Sequence, residues 1–64
     1  MTLQLTVPDM ACSACAEAIT KAVQAIDAAA TVNADPKTKQ VNIDTQASEA
    51  EVKAAITAAG YTVA

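Results

Sequence analysis

The chain has 64 residues, and its seven acidic residues and four lysines give a net charge of −3. It contains no His, Trp, Phe or Arg, which excludes Ser-His-Asp and Cys-His catalysis, His-ligated zinc and an aromatic platform for stacking bases. Because 17 of the residues are Ala, the core must use small side chains, and a chain this short forms one marginally stable domain over residues 1–64.

The beginning of the chain predicts a strand, a loop and a helix. Leu3, Leu5 and Val7 alternate with polar residues, a pattern typical of a strand, and Pro8 ends it. Ser13 is the predicted N-cap of the helix that follows. From there apolar residues recur at three- and four-residue steps, as in an amphipathic helix. The predicted apolar stripe consists of Cys15, Ala18, Ile19, Ala22, Val23 and Ile26.

The middle of the chain predicts a hairpin. Residues 31–34 and residues 41–44 have the composition of two short strands, and the intervening residues 35–39 include Asp, Pro and Lys residues typical of a turn.

The end of the chain predicts a second helix and a last strand. Ser48 and Glu51 have the spacing of a capping box, and Gly60 stands where a helix typically ends. Tyr61 and Val63 alternate as in a short strand. The helix stripe between these signals consists of Val52, Ala55, Ile56 and Ala59.

This order, βαββαβ, predicts an α+β fold. We expect a ferredoxin-like sandwich in which a four-stranded antiparallel sheet carries both helices on one face.

The acidic balance and the hydropathy restrict the partners. A nucleic-acid-binding domain would carry a basic patch, so we expect no nucleic-acid partner. No uncharged run approaches the ~18 residues needed to span a bilayer. The start of the chain also lacks the pattern of a signal peptide. We therefore expect a cytoplasmic protein, not inserted in a membrane, whose cysteines form a metal site or a redox pair.

The sequence from Met10 to Cys15, Met-Ala-Cys-Ser-Ala-Cys, carries the clearest chemical signal. Cys12 and Cys15 are three residues apart at a junction between loop and helix, so their thiols can converge on one point. The helix N-terminus favours negative charge and should lower the pKa of a thiol there, most plainly that of Cys15.

The donor set restricts the metal. A closed zinc site needs four ligands, whereas this loop offers two thiols and one nearby carboxylate, that of Asp9. A soft ion that accepts two thiolates, such as Cu(I), fits better. The alternatives are a redox couple and two incidental core thiols. Met10 can bind Cu(I) through its thioether or pack in the core, and we expect packing.

The whole chain resembles the heavy-metal-associated domain family, whose signature is Met-x-Cys-x-x-Cys after the first strand of a βαββαβ fold. It is especially similar to the small cyanobacterial copper chaperones in residues 16–24 and in the ending Ala-Ala-Gly-Tyr at residues 58–61. The resemblance implies that Cys12 and Cys15 hold Cu(I), that Met10 packs under the loop, and that copper passes to a copper-transporting P-type ATPase. It also places Tyr61 beside the segment from Met10 to Cys15, called the Cys loop below. There we expect it to shield the metal and donate a hydrogen bond to a thiolate, the alternative being a simple packing role.

These observations favour a cytoplasmic Cu(I) metallochaperone that is not an enzyme. The main alternative is the N-terminal metal-binding domain of a copper-transporting P-type ATPase, and a thiol-disulfide oxidoreductase is a third hypothesis. The sequence leaves open whether copper bridges two copies of the chain as a homodimer.

Overall fold

The computed structural model describes residues 2–64. The elements are β1 (Thr2–Thr6), α1 (Ser13–Ile26), β2 (Thr31–Asp35), β3 (Gln40–Asp44) and α2 (Glu49–Ala58). The three strands form an antiparallel sheet in the order β1-β3-β2, so β3 lies in the middle and pairs with both neighbours.

One face of the sheet and both helices share a hydrophobic core. Successive side chains of a strand point to opposite faces, and in β1 and β3 every second residue is buried. The helices contribute Ile19, Val23, Val52 and Ile56 to this core, whereas the alanines of the predicted stripes are half-buried or exposed. Ile26 is 43% exposed at the end of α1, and Ala59 is exposed after α2. The buried apolar residues are Leu3, Leu5, Val7, Met10, Ile19, Val23, Ala30, Val41, Ile43, Val52 and Ile56.

The predicted fourth strand is wrong for the part of the chain that the structure describes. Tyr61 and Val63 are half-buried against the core while Thr62 is exposed, so the alternation is present. The Ala64 amide donates to the Thr6 carbonyl oxygen at 2.8 Å, which holds this segment beside β1. The Thr62 amide, however, donates to the Asp9 carboxylate. The two helices and the antiparallel sheet agree with the predicted fold class, with three strands in place of four.

Local signals fix both ends of α2 as predicted. The Ser48 hydroxyl accepts from the Glu51 amide and the Glu51 carboxylate accepts from the Ser48 amide, which completes the capping box. Gly60 has φ +99° just beyond the helix. Its amide donates to the Thr57 carbonyl, and the next amide, that of Tyr61, donates to the Ile56 carbonyl. This pair of hydrogen bonds is a Schellman motif, and it determines where Tyr61 leaves the helix.

The hairpin turn between β2 and β3 places Lys39 beside the end of β1. The Asp35 carboxylate accepts from the Lys37 amide, and the Asp35 carbonyl accepts from the Lys39 amide. Lys39 adopts φ +67°, a left-handed conformation unusual for a residue other than glycine. Its own carbonyl accepts from the Val7 amide at 2.8 Å, which joins the turn to the end of β1.

Candidate metal site

The two cysteines lie at the first turn of α1. Cys12 is the N-cap, with an extended backbone (φ −153°, ψ 172°), and its thiol does not cap the helix. The predicted N-cap, Ser13, is instead the first helical residue, so the prediction was one position too late. Cys15 is then in the first turn, where unpaired backbone N–H groups and the helix dipole stabilise a negative sulfur.

The structure brings the two thiols together. The Sγ atoms of Cys12 and Cys15 are 3.4 Å apart, close enough for one thiol to donate to the other. Both cysteines are free; Cys12 is exposed and Cys15 is half-buried. An open pair of this kind gives an incoming ion or a partner's thiol direct access to sulfur.

Hydrogen bonds to Cys15 favour its thiolate. The Tyr61 hydroxyl donates to the sulfur, and further donation comes from the Ala11 backbone amide and from Cys12, so the pKa of Cys15 falls from 9.0 to about 7. Partial burial opposes this shift only weakly. The Cys15 thiol therefore loses its proton more readily than an ordinary cysteine, without any metal.

The interaction with Cys15 also changes the pKa of Tyr61. Donation to Cys15 raises the pKa of the Tyr61 phenol, and partial burial and the negative charges of Cys15, Cys12 and Asp9 raise it further. The phenol therefore stays protonated and remains a donor near neutral pH. Tyr61 therefore interacts with Cys15, while its predicted role in shielding a metal stays a prediction.

Met10 and Asp9 support the loop in different ways. Met10 is fully buried within the core. Asp9 is exposed, and its two carboxylate oxygens accept from the Thr62 amide at 3.1 and 3.2 Å. This contact ties the Cys loop to the segment that carries Tyr61.

The contact between Lys39 and the Cys loop was not predicted from the sequence. We expected Lys37 and Lys39 to form a solvated hairpin tip, but the Lys39 ammonium donates to the Met10 carbonyl oxygen at 2.8 Å and the side chain is half-buried. The two residues are 29 positions apart, and the interpretation of Lys39 as solvated was wrong.

Within residues 2–64, no group of three or more His, Cys, Asp or Glu side chains could hold a metal ion. The two sulfur atoms of Cys12 and Cys15 are the donors that lie together at the start of α1. None of the helices in the described part of the chain is long and apolar enough to cross a membrane.

Comparisons with known proteins agree with this geometry. The family described as the heavy-metal-associated domain matches residues 4–62. The copper chaperone Atx1 from Synechocystis PCC6803, in the trimeric Cu1 form of a mutant in which tyrosine replaces a histidine, is 53% identical with a TM-score of 0.94, covering 97% of this chain and 98% of that one.

Two further solved structures are similar over most of their length. A cyanobacterial copper metallochaperone, ScAtx1, is 53% identical with a TM-score of 0.82 and full coverage of both chains. A protein described as a gold binding protein is 37% identical with a TM-score of 0.90, covering 94% of this chain and 92% of that one. No curated protein matches the chain.

Proposed function

Because the chain belongs to the heavy-metal-associated domain family, we propose that it is a copper metallochaperone that carries one Cu(I) between Cys12 and Cys15. The observation that carries the proposal is the pair of sulfurs 3.4 Å apart at the exposed start of α1. Similarity to copper-bound Atx1 and to the copper metallochaperone ScAtx1 supports the choice of metal.

The donor chemistry favours a soft ion of low coordination number. Thiolates select Cu(I) among common cellular metals, whereas structural zinc requires four ligands. The hydrogen bonds that lower the pKa of Cys15 reduce the cost of displacing its proton when the metal binds. The similarity to a gold binding protein, which also handles a soft metal, supports the same donor chemistry.

Delivery follows from the low coordination number. A thiolate of the partner attacks Cu(I) and forms a three-coordinate bridge, after which one of the chain's own thiolates leaves. We expect Cys12 to leave first, because it is the more exposed cysteine. No bond other than the metal–sulfur bonds is made or broken, so the protein acts as a carrier and not as an enzyme.

We further propose that the recipient is the metal-binding domain of a copper-transporting P-type ATPase, and that hand-over takes place in the cytoplasm. The alternative is that the chain is itself such an ATPase domain. Both assignments require the same Cys pair. They differ in the length of the native gene product, which its mass measured in cell extracts would decide.

The test of metal binding is a competition titration of the reduced protein with Cu(I) against a chromophoric Cu(I) chelator, repeated with Zn(II). We expect one Cu(I) per chain, or fewer where copper bridges two copies, and weaker Zn(II) binding. Cys12→Ser and Cys15→Ser should each abolish tight binding, while Ser13→Ala, a matched change within the same motif, should keep it. Tight Cu(I) binding by the double Cys→Ser variant would overturn the site assignment.

A further inference from the structure

Lys39 makes two hydrogen bonds to the segment that precedes the cysteines, in addition to its contact within the hairpin turn. Its carbonyl accepts from the Val7 amide at 2.8 Å, and its ammonium donates to the Met10 carbonyl at 2.8 Å. The Met10 amide in turn donates to the Val7 carbonyl at 3.1 Å, which closes a short turn. Lys39 therefore holds both ends of the turn that leads into the cysteines.

The carbonyl that Lys39 contacts belongs to the peptide group between Met10 and Ala11, directly before Cys12. The C=O of Met10 and the N–H of Ala11 are parts of one planar unit and point in opposite directions. The C=O accepts from the ammonium at 2.8 Å, and the N–H belongs to Ala11, the residue directly before Cys12. The ammonium thus fixes the peptide group that leads directly into the cysteine pair.

We propose that Lys39 is a positioning residue for the metal site, which orients the Met10–Ala11 peptide and so holds the segment that leads into Cys12 and Cys15. Hydrogen bonds from a charged donor are the stronger ones, so loss of the ammonium should free this peptide. Lys39 thereby keeps the loop in its ligand-binding shape before metal arrives. The functional consequence rests on the copper-carrier role proposed above, whereas the effect on the loop does not.

Geometry also distinguishes Lys39 from its neighbour Lys37. Both lysines lie in the same turn and carry the same charge, but Lys37 is exposed, and its backbone amide contacts Asp35 within the hairpin. Replacing either lysine by Met removes one positive charge from the turn and keeps most of the aliphatic stem. The two substitutions therefore have nearly the same long-range electrostatic effect. A difference between the two variants reports the contact between Lys39 and Met10.

The test compares Lys39→Met with Lys37→Met in the reduced, metal-free protein by NMR. In Lys39→Met we expect the Ala11 amide to exchange with water about tenfold faster, since a charge-assisted hydrogen bond that fixed its peptide is lost. Its proton resonance should also shift upfield. Lys37→Met should leave both unchanged, and Lys39→Arg should restore most of the protection. Equal Ala11 exchange rates in Lys39→Met and Lys37→Met would overturn the proposal.

A second variant guards against a general loss of folding. Lys39→Gly also removes the ammonium, but glycine adopts φ +67° without strain, so this variant should be folded at least as well as the parent. Fast Ala11 exchange in Lys39→Gly, with unchanged exchange in β3, supports the positioning role. Protection of Ala11 at the parent level in this variant contradicts it.

The metal readout separates this inference from the proposed function. We expect Lys39→Met to transfer Cu(I) to a competing dithiol a few times faster than Lys37→Met, because the loop holds Cys15 less firmly. If the parent protein does not bind Cu(I), the carrier role fails, while the Ala11 exchange measurement still decides the role of Lys39. If copper binds and the two variants transfer it equally fast, Lys39 does not act on the site.

Discussion

At Met10, the chemistry of the side chain and its position indicate different roles. A thioether can bind Cu(I), but Met10 is fully buried in the core, whereas Cys12 is exposed and Cys15 is half-buried. A residue so placed contributes by filling volume. We therefore expect Met10 to support the loop from within the core and not to act as a metal ligand.

We predict that Met10→Leu leaves Cu(I) affinity unchanged. The two side chains have similar volumes, so the free energy of unfolding should fall by less than about 1.5 kcal/mol. Met10→Ala, which leaves a cavity, should cost about 2–5 kcal/mol. Urea unfolding and a chelator competition titration measure the two quantities. A tenfold loss of Cu(I) affinity in Met10→Leu would instead identify the thioether as a ligand.

Tyr61 acts on Cys15 through one hydroxyl group, so Tyr61→Phe should isolate that effect. Loss of the hydrogen bond should raise the pKa of Cys15 above about 7, towards the ordinary value of 9.0, and lower the thiolate fraction at neutral pH. The measurement is the pH dependence of Cys15 alkylation, with Cys12→Ser present in both proteins so that one thiol reacts. An unchanged midpoint would show that Tyr61 only packs against the loop.

At the scale of elements, the ends of α2 and the loop that follows it depend on single residues. Gly60 has φ +99°, and a Cβ placed there would meet no atom within 4 Å. Any penalty for a larger residue therefore comes from the backbone and not from crowding. The Schellman hydrogen bonds that require this conformation also direct Tyr61 towards Cys15.

We predict that Gly60→Ala lowers the free energy of unfolding by about 1–2 kcal/mol, the usual cost of a left-handed conformation for an L-residue. Gly60→Asn is the matched control, since Asn tolerates this region better and should cost less. Urea unfolding of the three proteins gives the ranking. Equal stability of all three would mean that the loop can relax into another conformation.

The elements that were predicted correctly are those whose signals are local. Apolar periodicity identified both helices and the first three strands, and the Ser48–Glu51 and Gly60 patterns located the ends of α2. The same periodicity predicted a fourth strand, because alternation at Tyr61 and Val63 reports which side faces the core. It does not report whether the Thr62 amide finds a backbone carbonyl, and this amide donates to Asp9 instead.

For the site, the Cys12–Cys15 spacing was sufficient to predict that the thiols converge. The surroundings of the pair were not predictable in the same way. The contact between Lys39 and Met10 spans 29 residues, and that between Asp9 and Thr62 spans 53. Such contacts depend on how the hairpin and the last segment pack beside β1, which no local pattern of lysine or aspartate encodes.

At the scale of the whole molecule, one carboxylate joins the far end of α1 to the segment after β3. The Asp27 carboxylate accepts from the Ala29 amide at 3.1 Å, from the Thr45 hydroxyl at 2.6 Å and from the Gln46 amide at 3.2 Å. These hydrogen bonds, that of Thr45 foremost, lower the pKa of Asp27 below 3.8. Thr45 is itself buried, so the tie reaches the core.

We predict that these hydrogen bonds to Asp27 make the free energy of unfolding depend on pH in acid. Because the native pKa of Asp27 is depressed, its stabilising effect is fully present above about pH 4 and is lost as the pH falls through the native pKa. Asp27→Asn should lower the urea midpoint at pH 7 and have a smaller effect at pH 3. Glu17→Gln, which removes one negative charge from the exposed side of α1, is the control. An Asp27→Asn effect that is equal at both pH values would exclude this linkage.

The net charge of the protein affects how fast it associates with a charged partner. A protein of net charge −3 is attracted to a positively charged patch, and such attraction acts mainly on the association rate. Salt screens exposed charges beyond about 10 Å at 0.1 M. If the recipient carries a basic patch, raising the salt concentration from 10 mM to 0.5 M should slow association by about tenfold and change dissociation little.

This prediction also has a spatial part, because contact must occur where copper is exchanged. NMR shifts on adding the proposed ATPase domain should cluster on the exposed or half-buried residues around the thiols, while Lys37 at the hairpin should not respond. Lys39 should shift with the loop, since its ammonium contacts the Met10 carbonyl. Shifts confined to Lys37 and its turn would reject docking at the metal site. The residues expected to respond are Asp9, Ala11, Ser13, Ala14 and Tyr61.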